Sequence, residues 1–101
     1  MRAIHLASLD TTRPVLVLTR EAVQPYLRRL TVAPITSTVL GLSTEVPVGP
    51  QNGLDHEGVV SCDNVTTIVS TQLGRRVGAL LPAQEVLLTR AITASFDLEI
   101  D

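Results

Sequence analysis

The sequence contains no lysine, no tryptophan, one cysteine and two aromatic residues, Tyr26 and Phe96. The single cysteine excludes an internal disulfide and argues against a structural zinc site, which needs several thiolate or imidazole ligands. Two aromatic side chains exclude a platform on which successive nucleic-acid bases stack. No apolar run approaches the roughly 20 residues of a membrane-spanning helix, so no membrane partner is expected. The first residues also lack the apolar stretch of a secretory signal, and we therefore expect a cytoplasmic protein.

All eight basic residues are arginines, and they are unevenly distributed along the chain. Residues 1–44 carry five arginines against two acids, a balance of +3, whereas residues 45–101 carry three against eight, a balance of -5. The overall net charge of -2 argues against a protein that binds nucleic acid without specificity. The distribution still permits a local arginine-lined pocket, because guanidinium groups make bidentate contacts to phosphate.

The length of 101 residues supports one hydrophobic core, so we treat residues 1–101 as a single domain. Val, Ile and Thr account for 30 residues, and these β-branched side chains favour strands. Pro34 is expected at a sheet edge or a bulge, and Gly74 at a turn. Short apolar or alternating runs predict strands at Ile4–Leu9, Val15–Leu18, Leu30–Ile35, Glu45–Val48, Val59–Cys62, Thr66–Val69 and Val77–Leu81.

The hydrophobic period changes near the C-terminus and predicts one helix, from about Pro82 to Ser95. Proline is well tolerated at the first helical position, and an apolar stripe follows, formed by Leu88, Ala91, Ile92 and Phe96. Several short strands followed by one helix imply a mostly β fold. We therefore expect a small, mostly antiparallel barrel or sheet that is capped by the C-terminal α-helix.

The sequence has no Walker loop, no G-x-G-x-x-G and no G-x-S-x-G, so no nucleotide cofactor and no α/β-hydrolase serine nucleophile is predicted. Asp55, His56 and Glu57 are possible metal ligands, but three consecutive side chains point in different directions and rarely converge on one ion. We interpret them as a polar loop and predict no metal site.

Polar groups adjoin three of the predicted strands. Arg13 precedes the buried run at Val15–Leu18, Thr36 and Ser37 follow Leu30–Ile35, and the Asp63-Asn64 pair follows Val59–Cys62. An arginine, a hydroxyl and an Asp-Asn pair could hold a phosphodiester, since the arginine neutralises phosphoryl oxygens and the hydroxyl orients them. Such a set could cleave RNA through the 2′-hydroxyl of the substrate, without a metal. The competing interpretation is that these are ordinary surface residues.

Four blocks occur in a distinctive order along the chain. Residues 13–19 read RPVLVLT, residues 31–37 read TVAPITS, residues 58–64 read GVVSCDN, and residues 73–78 read LGRRVG. Together with the C-terminal helix, these blocks resemble the MazF/PemK family of toxin endoribonucleases over nearly the whole chain. The resemblance implies an SH3-like barrel related to the gyrase poison CcdB.

The resemblance also implies an activity and partners. Family members are homodimeric toxins of type II toxin-antitoxin systems, and a MazE-type antitoxin inhibits them. They are sequence-specific, metal-independent ribonucleases that cut single-stranded RNA and leave a cyclic phosphate and a 5′-hydroxyl. Carried over to this sequence, the catalytic residues are Arg13 and Thr36, with Asp63 as the nominated base. We further expect RNA contacts from Ser37, Asn64 and Arg20.

Two departures from the family pattern stand out. Only Asp10-Thr11-Thr12 separates the first predicted strand from Arg13, where the family has a longer loop. Ser61 stands where some members carry a second catalytic arginine, so a second acid must come from elsewhere, or Arg13 has a larger role. Two rival functions remain: a CcdB-like poison of DNA gyrase without enzymatic activity, and a simple SH3-like binding module.

Overall fold

Seven strands and one α-helix make up more than half of residues 2–99, the part of the chain that the computed structural model describes. Short 3₁₀ helices at Glu21–Tyr26, Pro50–Asn52, Cys62–Asn64 and Ser70–Gln72 join them. The strands and helix are β1 (Ala3–Ser8), β2 (Thr12–Val17), β3 (Arg29–Thr36), β4 (Glu45–Val48), β5 (Gly58–Ser61), β6 (Thr66–Val69), β7 (Leu73–Ala79) and α1 (Pro82–Ser95). The predicted mostly β fold with one C-terminal helix is confirmed.

The strands form one antiparallel sheet with the order β4-β5-β3-β2-β1-β7. β3 is shared along one side, where Arg29–Val32 pair with β6 and Ile35–Thr36 pair with β5. Because one strand serves two partners, the sheet curves into a half barrel. Within residues 2–99, no ladder joins β4 to β7. Helix α1 packs beside β4 on the open side.

β2 separates the two apolar cores of the molecule. Leu16 packs into a core with residues of β4, β5 and α1, whereas Val15 and Val17 pack into a second core with Leu30 and Ile68. All three β2 residues are at most 1% exposed. The continuous apolar run of this strand is therefore explained by burial on both faces.

The predicted bounds of α1 are confirmed, and its inner face is formed by Leu88, Ala91 and, in part, Ile92. Phe96 was also expected on this face, but that prediction is wrong because its side chain is 57% exposed. The helix ends at Ser95, and Asp97 adopts a φ of 52°, so Phe96 lies where helical periodicity no longer sets side-chain direction. No helix of residues 2–99 has the length and apolarity needed to cross a membrane.

Several predicted strand bounds and a predicted turn are corrected. β7 begins at Leu73, so Gly74 lies in a strand rather than in a turn. A Cβ at Gly74 would lie 3.0 Å from the carbonyl oxygen of Leu6, which shows that this glycine allows β1 and β7 to approach closely. β5 ends at Ser61, and Cys62 begins a 3₁₀ helix, although it is still buried.

Pro34 lies in the middle of the sheet, although it was expected at an edge or a bulge. On one side it pairs with Val15 of β2. On the other side it falls between the ladder that ends at Val32 and the ladder that begins at Ile35. The gap between two partner strands thus accepts a residue that has no N–H to donate, as an edge would.

Candidate functional site

Arg13 and Thr36 lie at the same end of two neighbouring strands. β2 and β3 are antiparallel, with Val15 opposite Pro34 and Val17 opposite Val32. Continuing this register by two residues places Arg13 opposite Thr36. Opposed residues of an antiparallel pair project to the same face of a sheet. The buried strand β2 therefore fixes the backbone on which the arginine is mounted.

A cleft of about 620 Å³ opens at this end of the sheet. Its apolar lining includes Leu6, Pro14, Ile35, Leu54 and Val77. Its polar lining comprises Thr11, Arg13, Thr36, Ser37, Asp55, His56, Glu57 and Arg75. Of the six site residues predicted from sequence, the cleft brings together Arg13, Thr36 and Ser37. Its two guanidinium groups and several hydroxyls can neutralise and orient a phosphodiester.

The guanidinium of Arg13 is held by the tight turn between β1 and β2. Its Nε lies 3.3 Å from Asp10 Oδ1, and its Nη2 donates to Asp10 Oδ2 at 3.4 Å. Nε also donates to Thr11 Oγ1 at 3.3 Å. The side chain of Arg13 is 48% exposed, and exposed pairs of this kind contribute only about 0–1 kcal/mol. A phosphate can therefore take the place of Asp10 at small cost.

Thr36 is positioned by its own strand and by the adjacent β5. Its Oγ1 accepts the N–H of Thr38 at 3.1 Å, which uses an oxygen lone pair and leaves the hydroxyl hydrogen to donate. Next to it, a Cβ at Gly58 would lie 2.3 Å from the carbonyl oxygen of Thr36. Real Cβ atoms do not come this close to backbone, so β5 reaches Thr36 only because residue 58 has no side chain.

The opposite wall of the cleft is the segment 53–57, and the turn before it is fixed by a buried pair of amides. Asn52 Nδ2 donates to Gln84 Oε1 at 2.6 Å, and Gln84 Nε2 donates back to Asn52 Oδ1 at 3.1 Å. The two amides make their remaining hydrogen bonds to the backbone. Asn52 Nδ2 and Gln84 Nε2 donate to Ala79 O and Pro47 O, and Asn52 Oδ1 and Gln84 Oε1 accept the N–H groups of Gly49 and Leu81. The cleft wall is thereby attached to helix α1.

Asp63, Asn64 and Arg20 do not line this cleft. β5 runs antiparallel to β3, with Thr36 opposite Val59, so residues that follow β5 lie at its far end from Thr36. There Asp63 Oδ2 accepts the hydroxyl of Thr44 at 2.6 Å, and Asn64 Nδ2 donates to Ser61 Oγ at 2.7 Å. Arg20 lines a separate pocket beside Arg2 and Arg76.

Sequence reasoning missed Arg75 and the Asp55-His56-Glu57 segment as parts of the cleft. The sequence pattern predicts only a polar loop for this segment and assigns no role to Arg75. Both come from chain regions distant from Arg13, so only the order of the strands brings them together. Across residues 2–99, no group of three or more His, Cys, Asp or Glu side chains is arranged to hold a metal ion.

Cys62 lies near Asp63 but is buried in the larger core. Burial, and to a lesser extent the neighbouring carboxylate of Asp63, raises the pKa of the Cys62 thiol to about 11. The thiol is therefore protonated near neutral pH, and a protonated thiol is neither a nucleophile nor a metal ligand. Its role is that of a small apolar side chain.

Comparisons with known proteins give a matching family model and a similar curated protein. The family model described as the PemK-like, MazF-like toxin of type II toxin-antitoxin systems matches residues 6–96. The protein named endoribonuclease MazF3 of Mycobacterium tuberculosis is 59% identical over 99 residues, which cover 98% of this chain and 96% of that protein.

Solved structures show the same similarity. The Mycobacterium tuberculosis toxin MazF-mt6 superposes with a TM-score of 0.96 at 57% identity, covering 98% of this chain and 100% of that one. A mycobacterial endoribonuclease in complex with its cognate antitoxin superposes with a TM-score of 0.85, covering 98% and 95% of the two chains. Its identity of 21% makes it evidence for the fold alone.

Proposed function

The chain belongs to the PemK-like, MazF-like family of type II toxins, and from that premise we propose that it cleaves RNA in the cleft lined by Arg13 and Thr36. It is an endoribonuclease and the toxin component of a toxin-antitoxin system, as its 59% identity to endoribonuclease MazF3 supports. The observation that carries the assignment of the site is the register of β2 and β3, because its continuation by two residues puts Arg13 opposite Thr36, and both residues line the same cleft.

The reaction begins when the 2′-oxygen of a ribose attacks the adjacent phosphorus. The P–O5′ bond then breaks, which leaves a 2′,3′-cyclic phosphate and a 5′-oxygen that takes up a proton from water. Negative charge grows on the phosphoryl oxygens during this step. Arg13 exchanges Asp10 for these oxygens and neutralises them, while Thr36 donates a hydrogen bond that fixes their orientation. No step requires a metal.

Some family members carry a second catalytic arginine at the position of Ser61, and in this chain Arg75 supplies that second cation. It lines the same cleft as Arg13, and two guanidinium groups can bind one phosphate or two successive phosphates of a strand. Ser37 adds a hydroxyl beside Thr36. The proton acceptors of the cleft are Asp55, His56 and Glu57, and we assign the removal of the 2′-hydroxyl proton to this segment rather than to Asp63.

The decisive experiment is cleavage of RNA by the purified protein in EDTA, followed by analysis of the product ends. We expect a cyclic phosphate and a 5′-hydroxyl. Arg13→Ala should lower the cleavage rate by roughly 10²-fold or more, as does loss of a preorganised charge donor. The matched control is Arg90→Ala, which removes an exposed arginine of α1 outside the cleft and should leave the rate unchanged. A folded Arg13→Ala protein that cuts at the wild-type rate removes Arg13 from the site.

The two rival functions are not favoured. A gyrase poison or a simple binding module would need no RNA-cleaving site, whereas the curated relative is named an endoribonuclease and the matching family model is that of MazF-like toxins. The same EDTA experiment separates all three, because neither rival cleaves RNA. We place the activity in the cytoplasm, where RNA is translated.

We also propose a homodimer, because a two-fold axis would join the arginine-rich surfaces of two copies into one continuous groove. Light scattering at micromolar concentration should give twice the chain mass of 10.8 kDa, and a monomer mass would contradict this.

The antitoxin of the system is proposed to be of the MazE type, with an acidic extended segment that occupies the RNA groove, since guanidinium groups bind carboxylates as they bind phosphates. RNA and antitoxin should therefore compete. If both bound one dimer together at full affinity, the shared-groove proposal would fail.

A further inference from the structure

The segment 37–44, which joins β3 to β4, begins beside the candidate catalytic residues. Thr36 is the last residue of β3, and Ser37 lines the cleft. The segment lies outside any strand or helix. It carries the exposed apolar side chains Val39, Leu40 and Leu42, which are 59%, 69% and 47% exposed. Burial of these side chains therefore contributes little to the conformation of the segment.

Hydrogen bonds to Glu45 hold the middle of this segment. Its Oε1 accepts the backbone N–H of Gly41 at 2.8 Å, of Leu42 at 3.1 Å and of Leu40 at 3.2 Å. Its Oε2 lies 3.2 Å from the same N–H of Leu40. Three successive N–H groups can converge on one carboxylate because Gly41 adopts a φ of 78°, and such concave arrangements bind anions. Charged acceptors make these bonds roughly twice as strong as neutral ones.

A second carboxylate holds the far end of the segment. The hydroxyl of Thr44 donates to Asp63 Oδ2 at 2.6 Å, and the N–H of Cys62 donates to Thr44 O at 3.0 Å. The 3₁₀ helix that contains Asp63 is fixed in turn by the burial of Cys62. The segment is therefore tied to the sheet at its middle by Glu45 and at its end by Asp63.

We propose that Glu45 and Asp63 are positioning residues, which hold the segment 37–44 in the conformation that binds RNA beside Thr36. This inference rests on the proposed function of the cleft. Proteins that recognise RNA by sequence contact the unstacked bases of single-stranded segments. Val39, Leu40 and Leu42 are exposed on a segment that is fastened by polar bonds, so they are presented to a ligand without first having to be ordered.

The kinetic test uses Glu45→Ala, Glu45→Gln and Asp63→Asn with a short RNA oligonucleotide that contains one cleavage site. Glu45→Ala should raise KM about tenfold and change kcat by less than about twofold, because Leu40, Gly41 and Leu42, which Glu45 holds, do not line the cleft. Glu45→Gln retains a carbonyl oxygen that accepts N–H groups, so it should restore part of the loss. The control is Glu21→Ala, an exposed glutamate outside the cleft, for which both constants should be unchanged.

A second measurement needs no cleavage activity. Backbone amide hydrogen exchange at Leu40, Gly41 and Leu42 should be faster in free Glu45→Ala than in the wild type, while exchange in β2 should be unchanged. Unchanged exchange at these three amides overturns the fastening role. Faster exchange with an unchanged KM, or a loss confined to kcat, overturns the substrate role. A wild-type protein that does not cleave RNA overturns the proposed function, and the exchange result then still decides whether Glu45 fastens the segment.

Discussion

Replacement of Gly58 by alanine tests the position of Thr36 without changing any functional group. Gly58 does not have a positive φ, so alanine is compatible with its backbone conformation. The obstacle is space alone. The added Cβ would lie 2.3 Å from Thr36 O and 3.0 Å from the carbonyl carbon of Thr36. Both atoms belong to the backbone, so no flexible side chain can move aside.

The expected magnitude follows from these distances. Ordinary contacts of a Cβ begin near 3.4 Å, so the oxygen must retreat by about 1 Å. A displacement of about 1 Å in a catalytic group can lower the rate by about 10²-fold. Overpacking of this kind also destabilises a protein by about 1–3 kcal/mol. We therefore expect Gly58→Ala to remain folded at low temperature, with kcat reduced by about 10²-fold.

The assay compares single-turnover RNA cleavage with urea unfolding for the same preparations. Leu88→Ala is the control, because it opens a cavity under α1 at a residue that does not line the cleft, and destabilises by about 2–5 kcal/mol. At a temperature where both variants are folded, Leu88→Ala should cleave at the wild-type rate. Wild-type kcat in folded Gly58→Ala would refute the argument that the position of Thr36 controls the reaction.

Three further predictions concern the site and its support. Arg13→Lys should cleave nearly as poorly as Arg13→Ala, because a point charge loses bidentate geometry. Thr36→Ala should lower the cleavage rate about tenfold, the equivalent of one hydrogen bond. Rate measurements on the folded variants check both. Burial raises the pKa of Cys62 from 9.0 to about 11, so the contribution of Cys62 to stability is complete below pH 9 and is lost as the pH rises toward 11. The urea midpoints of wild type and Cys62→Ala should therefore converge over that pH range. Asn52→Ala and Gln84→Ala should each destabilise the protein by about 2–4 kcal/mol. The double variant should lose clearly less than the sum of these two values, because the second substitution removes a side chain whose partner is already gone. Additive free energies of unfolding would contradict the reciprocal pair.

Local patterns in the sequence predicted most of the fold, because the residues concerned are controlled by their neighbours. The apolar run of β2 indicated burial on both faces, and Pro82 marked the start of α1. Gly74 was misplaced because a glycine that precedes two arginines has the same appearance in a turn and in a strand that a neighbour approaches closely. Phe96 was misplaced because the helical period continues in the sequence after the helix itself has ended.

The site was only partly predictable, because strand direction decides which strand ends meet. Arg13 lies near the start of β2 and Thr36 at the end of β3. Because these two strands are antiparallel neighbours, both residues lie at the same end of the sheet. Asp63 follows a strand that is antiparallel to β3, and this places it at the other end. The position of Arg75 in the cleft depends on the register shifts between β1 and β7, and no local sequence pattern reveals these shifts. The family resemblance supplied the pairing of Arg13 with Thr36, but not the distance of Asp63 from them.

The pairing of Arg13 with Asp10 has a consequence for the salt dependence of RNA binding. Affinity for single-stranded nucleic acid falls with the logarithm of salt concentration, with a slope of about -0.7 for each phosphate neutralised. Arg13 carries its own counter-ion, tethered three residues away, and that carboxylate stays nearby after a phosphate has displaced it. Its guanidinium therefore contributes less than this full amount to the slope. A protein whose main phosphate-binding arginine already pairs with a carboxylate binds RNA less tightly in dilute buffer, and it retains more of that affinity as the ionic strength rises.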